Sequence, residues 1–196
     1  MARSADFFSF LGLPRKLNLD MADLEQRYRA LSRQFHPDYF YNAPPAERRA
    51  SLEQSSYLND AYRALKNPVS RIEYLLQVEG VAPKSAADSA KQVPPALLEE
   101  VFALNEELDD VRELRAGGAP ADQWKARLER ARTPIDTKRT EHESQLQQLA
   151  AQWDAAVDSG APDEQRRKIL QSLRERFLER NYITNLLAGI ERELSQ

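Results

Sequence analysis

Only two histidines occur among the 196 residues, and one of them lies in the tripeptide His36-Pro37-Asp38. An imidazole at this place could serve as a catalytic base or as a metal ligand. The proline could also simply end a helix, because it disfavours the helical conformation of the residue before it. A fourth interpretation is a surface that is presented to another protein. The composition and the surrounding helices separate these alternatives.

The groups that catalysis or metal binding would need beside His36 are missing from the sequence. The chain has no cysteine, which excludes disulfides, thiolate metal ligands and thiol catalysis. The acidic residues are plentiful but show no ligand spacing, and no glycine-rich phosphate loop occurs. The second histidine, His142, lies beside the apolar stripe of its helix, which favours a partly buried structural role. We therefore expect no enzyme activity, no cofactor and no metal site.

The composition predicts an all-α protein. Ala, Leu, Glu, Arg and Gln dominate, glycine is scarce with 6 residues, and runs of β-branched residues are almost absent. The first residues contain too short an apolar run for a signal peptide or a membrane span. We expect a cytoplasmic protein, monomeric and with no membrane partner.

Charge is distributed unevenly along the chain. Residues 1–76 contain 11 lysines and arginines against 9 acidic residues, whereas residues 77–196 contain 17 against 22. The net charges of +2 and −5 do not provide the basic surface that non-specific binding to nucleic acid requires. Two parts of opposite sign suggest instead two surfaces for two partners.

The first part of the chain predicts four helices. The second has an apolar stripe of Leu24, Tyr28, Leu31 and Phe35 at alternating spacings of four and three, and it ends at the tripeptide. Arg29 and Arg33 fall on its opposite face. An antiparallel hairpin with the third helix would place the tripeptide at its tip. The four predicted helices cover Asp6–Leu11, the residues after the N-cap Asp20, Pro45–Lys66 and the residues after Pro68.

A proline-punctuated segment at 78–94 predicts a linker between a domain at 1–77 and a helical domain at 95–196. The apolar patterns of the second domain predict a three-helix bundle with helices at 95–115, 121–157 and 162–194. Pro134 lies inside the middle helix, where a kink or a break is expected because proline cannot donate a backbone hydrogen bond.

A second candidate surface lies on the helix at 95–115. Leu98 and Phe102 fall one residue beyond its core stripe, and Glu106 and Asp110 continue the same row. The row forms a ridge of two large apolar residues and two acids. Either these residues widen the buried stripe or they form a binding surface, and the pattern alone leaves both open.

The sequence "LEQRYRALSRQFHPD", followed by "LNDAYRALKNP", resembles a J-domain over residues 4–76. Such domains recruit ATP-driven chaperones of the DnaK class and stimulate them. The resemblance implies that the tripeptide and the basic helix face bind the chaperone. It departs from the family at Tyr39, where a basic residue commonly follows the tripeptide. The implied chaperone-binding residues are Tyr28, Arg29, Arg33, His36, Pro37 and Asp38.

Nearly the whole chain is similar to the HscB family, through "NPVSRIEYLL" and "ALLEEVFALNEELDDVREL". This resemblance implies a co-chaperone that delivers the scaffold protein of iron–sulfur cluster assembly to the chaperone HscA and stimulates its ATPase. A J-domain protein with a different client remains the alternative. Glu99 stands where relatives can have an apolar residue. The implied scaffold-binding residues are Leu98, Phe102, Glu106, Asp110, Arg176 and Phe177.

Overall fold

The structure is a computed structural model that describes residues 6–82 and 94–195. Seven α-helices occur in these residues, and no strand is found among them. Two short 3₁₀ turns cover Pro37–Phe40 and Pro95–Leu97. The helices are α1 (Phe7–Phe10), α2 (Met21–Gln34), α3 (Pro45–Lys66), α4 (Pro68–Val78), α5 (Leu98–Ala116), α6 (Ala121–Asp158) and α7 (Asp163–Leu194).

The all-α prediction is confirmed, and the helix bounds lie within a few residues of those expected. Of the two alternatives expected at Pro134, the break is wrong, because α6 continues through this residue, and the kink stays a prediction. Pro134 is exposed, so water can solvate the carbonyl group of Arg130 that loses its helical hydrogen bond. In the described residues, no helix combines the length and the apolar character that a membrane span requires.

The chain forms two compact units whose limits differ from the predicted boundaries. Unit 1 contains residues 6–82 together with 149–173, and unit 2 contains residues 94–148 together with 174–195. The long helices α6 and α7 thus contribute their connected ends to unit 1 and their other ends to unit 2. Most of the predicted linker, residues 83–93, lies outside the described residues.

Helices α2 and α3 of unit 1 form the predicted antiparallel hairpin. Tyr28 stacks on Tyr62 with ring centroids 4.2 Å apart, and its hydroxyl donates a 2.9 Å hydrogen bond to Asn59 Oδ1. At the other end of the hairpin, the buried Ser51 hydroxyl donates to the Phe35 carbonyl oxygen at 2.8 Å. Later residues of α2 therefore meet earlier residues of α3, which fixes the antiparallel register.

The segment between α1 and α2 is held by residues from α4 and α6 of the same unit. The buried Arg71 guanidinium donates to the carbonyl oxygens of Leu17 at 2.5 Å and Leu65 at 2.6 Å. The Asp154 carboxylate accepts from the backbone amides of Leu17 and Asn18 at 2.7 and 2.9 Å. Burial lowers the pKa of Arg71, and the Asp154 charge opposes that effect.

A glycine is required where α1 meets α2. Gly12 has a φ of 66°, and a Cβ atom added there would lie 2.8 Å from Nη1 of Arg27. That guanidinium donates to the Gly12 carbonyl oxygen at 2.7 Å. A larger residue would therefore suffer backbone strain, and the Arg27 guanidinium would have to move from its hydrogen bond with the Gly12 carbonyl oxygen.

Unit 2 has its own apolar core, to which α5, α6 and α7 each contribute one face. His142 of α6 is buried beside this helix packing, which confirms the predicted burial. Burial lowers the pKa of His142 below its ordinary value, against the opposing effect of Glu179, whose carboxylate lies 3.3 Å from Nδ1. The most buried core residues are Leu97, Val101, Leu104, Val111, Trp124, Leu128, Ile135, Ile183, Leu187 and Ile190.

Replacing Arg71 by alanine is expected to destabilise the protein by about 2–4 kcal/mol. The substitution leaves the Leu17 and Leu65 carbonyl groups without their donor, and each unsatisfied buried group costs about 1–3 kcal/mol. Urea denaturation measures the free energy of unfolding. The exposed Arg63 serves as the matched control, since its alanine variant should change stability by at most about 0.5 kcal/mol. Equal effects of the two variants would contradict the prediction.

Candidate functional site

The loop that carries the tripeptide is held at both of its ends. The last turn of α2 closes with the Phe35 amide on the Leu31 carbonyl oxygen at 2.9 Å, and Ser51 holds the Phe35 carbonyl group against α3. The Phe35 ring stacks on Phe10 of α1 with centroids 6.0 Å apart. After the loop, Pro45 starts α3 at the favoured first-turn position. The loop thus has little freedom at its base.

His36 acts as the cap of the 3₁₀ turn rather than as a helical residue. Its backbone is extended, with φ of −64° and ψ of 125°, as expected before a proline. Its Nδ1 accepts the Asp38 amide at 3.3 Å, so the neutral ring carries its proton on Nε2. The Asp38 side chain is 85% exposed. The loop therefore offers a carboxylate and an imidazole donor to a partner, from a backbone that local bonds hold.

The outer face of α2 carries the two predicted arginines beside the loop. Arg29 is exposed and forms an ion pair with Glu25 at 2.5 Å. Exposed pairs of this kind contribute little, so a partner carboxylate can replace Glu25 at small cost. Arg33 is exposed as well, and its Nε donates to the Arg29 carbonyl oxygen at 3.4 Å. This face can bind an acidic surface.

Tyr28 differs from the other five predicted chaperone-binding residues in its surroundings. It is half-buried and packs on α3 through the stack with Tyr62 and the hydrogen bond to Asn59. Its hydroxyl is already engaged within the hairpin. Tyr28 therefore positions α2, and only part of its ring is left for a partner.

The ridge on α5 is exposed. Phe102 is 65% exposed and Leu98 is also exposed, whereas the neighbouring Val101 and Leu104 are buried. A widened buried stripe, one of the two alternatives that the sequence left open, does not describe this helix. Two large apolar side chains in contact with water on one helix face are a feature of binding surfaces.

The acidic end of the ridge is partly occupied by a basic residue of α6. Arg127 donates to Glu107 at 2.8 Å and also pairs with Asp110. The hydrogen bond to Glu107 and the charge of Asp110 raise the pKa of the Arg127 guanidinium. Asp110 therefore meets a partner as a member of an ion pair, whereas Glu106 is an exposed carboxylate on the same face.

The two predicted scaffold-binding residues on α7 do not form an exposed patch. Phe177 is 3% exposed, so its proposed place in a binding surface was wrong. Arg176 is half-buried and forms an ion pair with Glu179 at 2.5 Å. Glu179 also faces His142, so the Arg176 charge belongs to a largely internal cluster. The resemblance to the HscB family placed Phe177 in the binding surface, and a resemblance in sequence does not show which side chains α5 and α6 cover in this chain.

Comparison with known proteins agrees with these features. Residues 6–74 match the family described as "DnaJ domain". Over 155 residues, the chain is 33% identical to the "Co-chaperone protein HscB" of Proteus mirabilis (strain HI4320), which covers 79% of this chain and 85% of that protein. The chain belongs to the HscB family of co-chaperones.

Solved structures agree with this membership. The chaperone HscB from Vibrio cholerae superposes with a TM-score of 0.63 at 28% identity, covering 98% of this chain and 99% of that one. The human co-chaperone HscB gives a TM-score of 0.65 at 23% identity, covering 98% and 84%, and supports the fold. The resemblance seen in the sequence is confirmed. The chain has the role of a co-chaperone in iron–sulfur cluster assembly, and its J-domain implies a DnaK-class partner.

Sequence analysis missed a groove beside the tripeptide of this HscB-family chain. Pro37 and Asp38 line it from the loop, and Arg48 and Leu52 line it from α3. Leu52 lies one residue after the buried Ser51, in the same off-stripe position that revealed the ridge on α5. That signal was present in the sequence of α3.

The difference between the two phenylalanines is open to a stability test. Phe177→Ala should lower the free energy of unfolding by about 3–5 kcal/mol, because it removes a buried ring and leaves a cavity. Phe102→Ala is the matched control and should change it by about 0.5 kcal/mol or less, since the ring is already in contact with water. Urea denaturation of both variants decides the point. A small effect of Phe177→Ala on the free energy of unfolding would contradict the burial of Phe177.

Proposed function

We propose that this co-chaperone binds the scaffold protein of iron–sulfur cluster assembly, delivers it to an HscA/DnaK-class chaperone and stimulates the ATPase of that chaperone. The observation that carries the proposal is the presence of two exposed surfaces of different chemistry. One is the His36-Pro37-Asp38 loop with the basic face of α2, in unit 1. The other is the apolar and acidic ridge of α5, in unit 2.

The chaperone side of the proposal rests on charge and rigidity. Arg29 and Arg33 bind an acidic surface of the chaperone, and the exposed Asp38 carboxylate accepts a bidentate arginine of the partner. Pro37 fixes its own φ, and His36 caps the turn. The loop is therefore ordered before it binds, which reduces the entropy cost of association.

Bond chemistry takes place in the chaperone, and the co-chaperone changes its rate. The free energy of the loop contact must be more favourable in the conformation of the chaperone that hydrolyses ATP than in the resting one. Binding then shifts the chaperone toward that conformation, and the nucleotide state reciprocally changes the affinity for the loop. The co-chaperone itself needs no catalytic group or cofactor for this role.

The scaffold side rests on the ridge of α5. Leu98 and Phe102 are the apolar anchors, and Glu106 supplies an exposed charge beside them. Asp110 and Arg127 add an ion pair at the rim, which favours a particular orientation of the scaffold more than it adds affinity. A few large anchors with a polar surround suit an interface that must form and dissociate during delivery.

Asp38→Asn should lower the maximal stimulation of the chaperone ATPase by about 10-fold or more, because the amide cannot pair with an arginine as the carboxylate does. Steady-state ATP hydrolysis by the purified chaperone measures the effect. Glu164→Gln removes a carboxylate from an exposed position on α7 and should leave stimulation unchanged. Full stimulation by folded Asp38→Asn protein would overturn the chaperone side of the proposal.

Combined Leu98→Ala and Phe102→Ala substitution should weaken scaffold binding by about 10- to 100-fold, since both anchors are lost. Isothermal titration with the purified scaffold protein measures the affinity. Stimulation of the ATPase without scaffold should stay as in the unmodified protein, because the J-domain is unchanged. An unaltered scaffold affinity would exclude the ridge, and a lack of any scaffold binding by the unmodified protein would favour a different client.

A further inference from the structure

A groove runs from the tripeptide loop onto the first half of α3, and two large exposed side chains line it. Tyr41 is 78% exposed and Leu52 is 57% exposed, although both are large side chains. They lie in a segment of otherwise polar and small residues. The full lining consists of Pro37, Asp38, Tyr41, Asn42, Arg48 and Leu52.

The groove does not serve the packing of the hairpin. The side of α3 that packs in the interior carries Ser51, Leu58, Ala61 and Leu65, which are all buried. Leu52 follows Ser51 by one residue and is therefore rotated by about 100° from that side. It contributes its exposed area to the groove instead of to the core. Only another molecule could therefore cover the exposed side chains of Leu52 and Tyr41.

The groove adjoins the loop that is proposed to bind the chaperone, and this position favours the chaperone as its occupant. Pro37 and Asp38 form one of its walls, and both belong to the loop that is proposed to bind the chaperone. A protein seated on the exposed Asp38 carboxylate extends over this wall, because even small specific interfaces cover many residues on each side. The groove is therefore continuous with the chaperone surface.

We infer that the binding surface for the DnaK-class chaperone extends from the tripeptide into this groove, with Tyr41 and Leu52 as apolar anchors. This inference rests on the proposed function. The part of the chaperone that enters the groove is an apolar segment, with an acidic side chain or a carbonyl group to pair with Arg48. Tyrosine and leucine in a preformed groove provide contact area at a low cost in side-chain entropy.

The contacts of the groove and those of the tripeptide should respond differently to salt. Asp38 and the basic face of α2 bind through charge, which salt screens over about 8–10 Å. The contacts of Tyr41 and Leu52 are apolar, and salt does not screen them.

The test measures chaperone ATPase stimulation as a function of co-chaperone concentration, with the full chain and without scaffold. Combined Tyr41→Ala and Leu52→Ala substitution should raise the concentration for half-maximal stimulation by about 10-fold while the maximal rate is retained. The ratio between the variant and the unmodified protein should persist at higher salt. Gln54→Ala is the matched control, because it shortens an exposed side chain of α3 that does not line the groove.

The outcomes separate this inference from the function on which it rests. An unchanged half-maximal concentration in the double variant, with stimulation lost in Asp38→Asn, would overturn the groove and leave the proposed function standing. Full stimulation by Asp38→Asn would overturn both. Circular dichroism establishes that the double variant is folded, which is expected because both side chains are in contact with water.

Discussion

The antiparallel packing of α2 on α3 is the constraint on which the proposed chaperone-binding surface depends. The Ser51 hydroxyl holds the Phe35 carbonyl group, and the stack of Tyr28 on Tyr62 sets the register further along the hairpin. The two ends of the loop between these helices are consequently held in fixed positions. The exposed Asp38 carboxylate therefore stands on a backbone that is already ordered, which lowers the entropy cost of the proposed binding.

The α1–α2 segment shows how a distant part of the chain supports this hairpin. The backbone of Leu17 accepts from Arg71 of α4 and donates to Asp154 of α6, and Trp153 donates its indole N–H to the Arg15 carbonyl oxygen at 2.8 Å. Polar backbone groups that would otherwise be unsatisfied are thus paired inside unit 1. The connected ends of α6 and α7, residues 149–173, consequently belong to the unit of the J-domain, although residues 83–148 separate them from it in sequence.

Much of the fold could be predicted because helical periodicity and capping are local. Asp20 caps α2 through its carboxylate, and Pro45 and Pro68 start α3 and α4 as their positions indicated. The tripeptide was recognisable because the resemblance to a J-domain rests on a short contiguous motif and on the helices on either side of it. The sequence could not exclude a helix break at Pro134, since the cost of a missing hydrogen bond depends on whether the freed carbonyl group faces water. Phe177 was misplaced for a related reason, because its burial depends on what covers α7.

The sequence alone determined the helical class, the order of the helices, the hairpin tip and the membership of a J-domain family. These properties follow from side-chain period, caps and short motifs, which act over one or two helical turns. Tertiary structure alone decided which off-stripe residues are exposed. Phe102 and Leu52 are in contact with water, whereas Phe177 is buried, although all three are large apolar residues on helices. Exposure is set by the elements that pack around a residue, and a one-dimensional pattern does not contain that information.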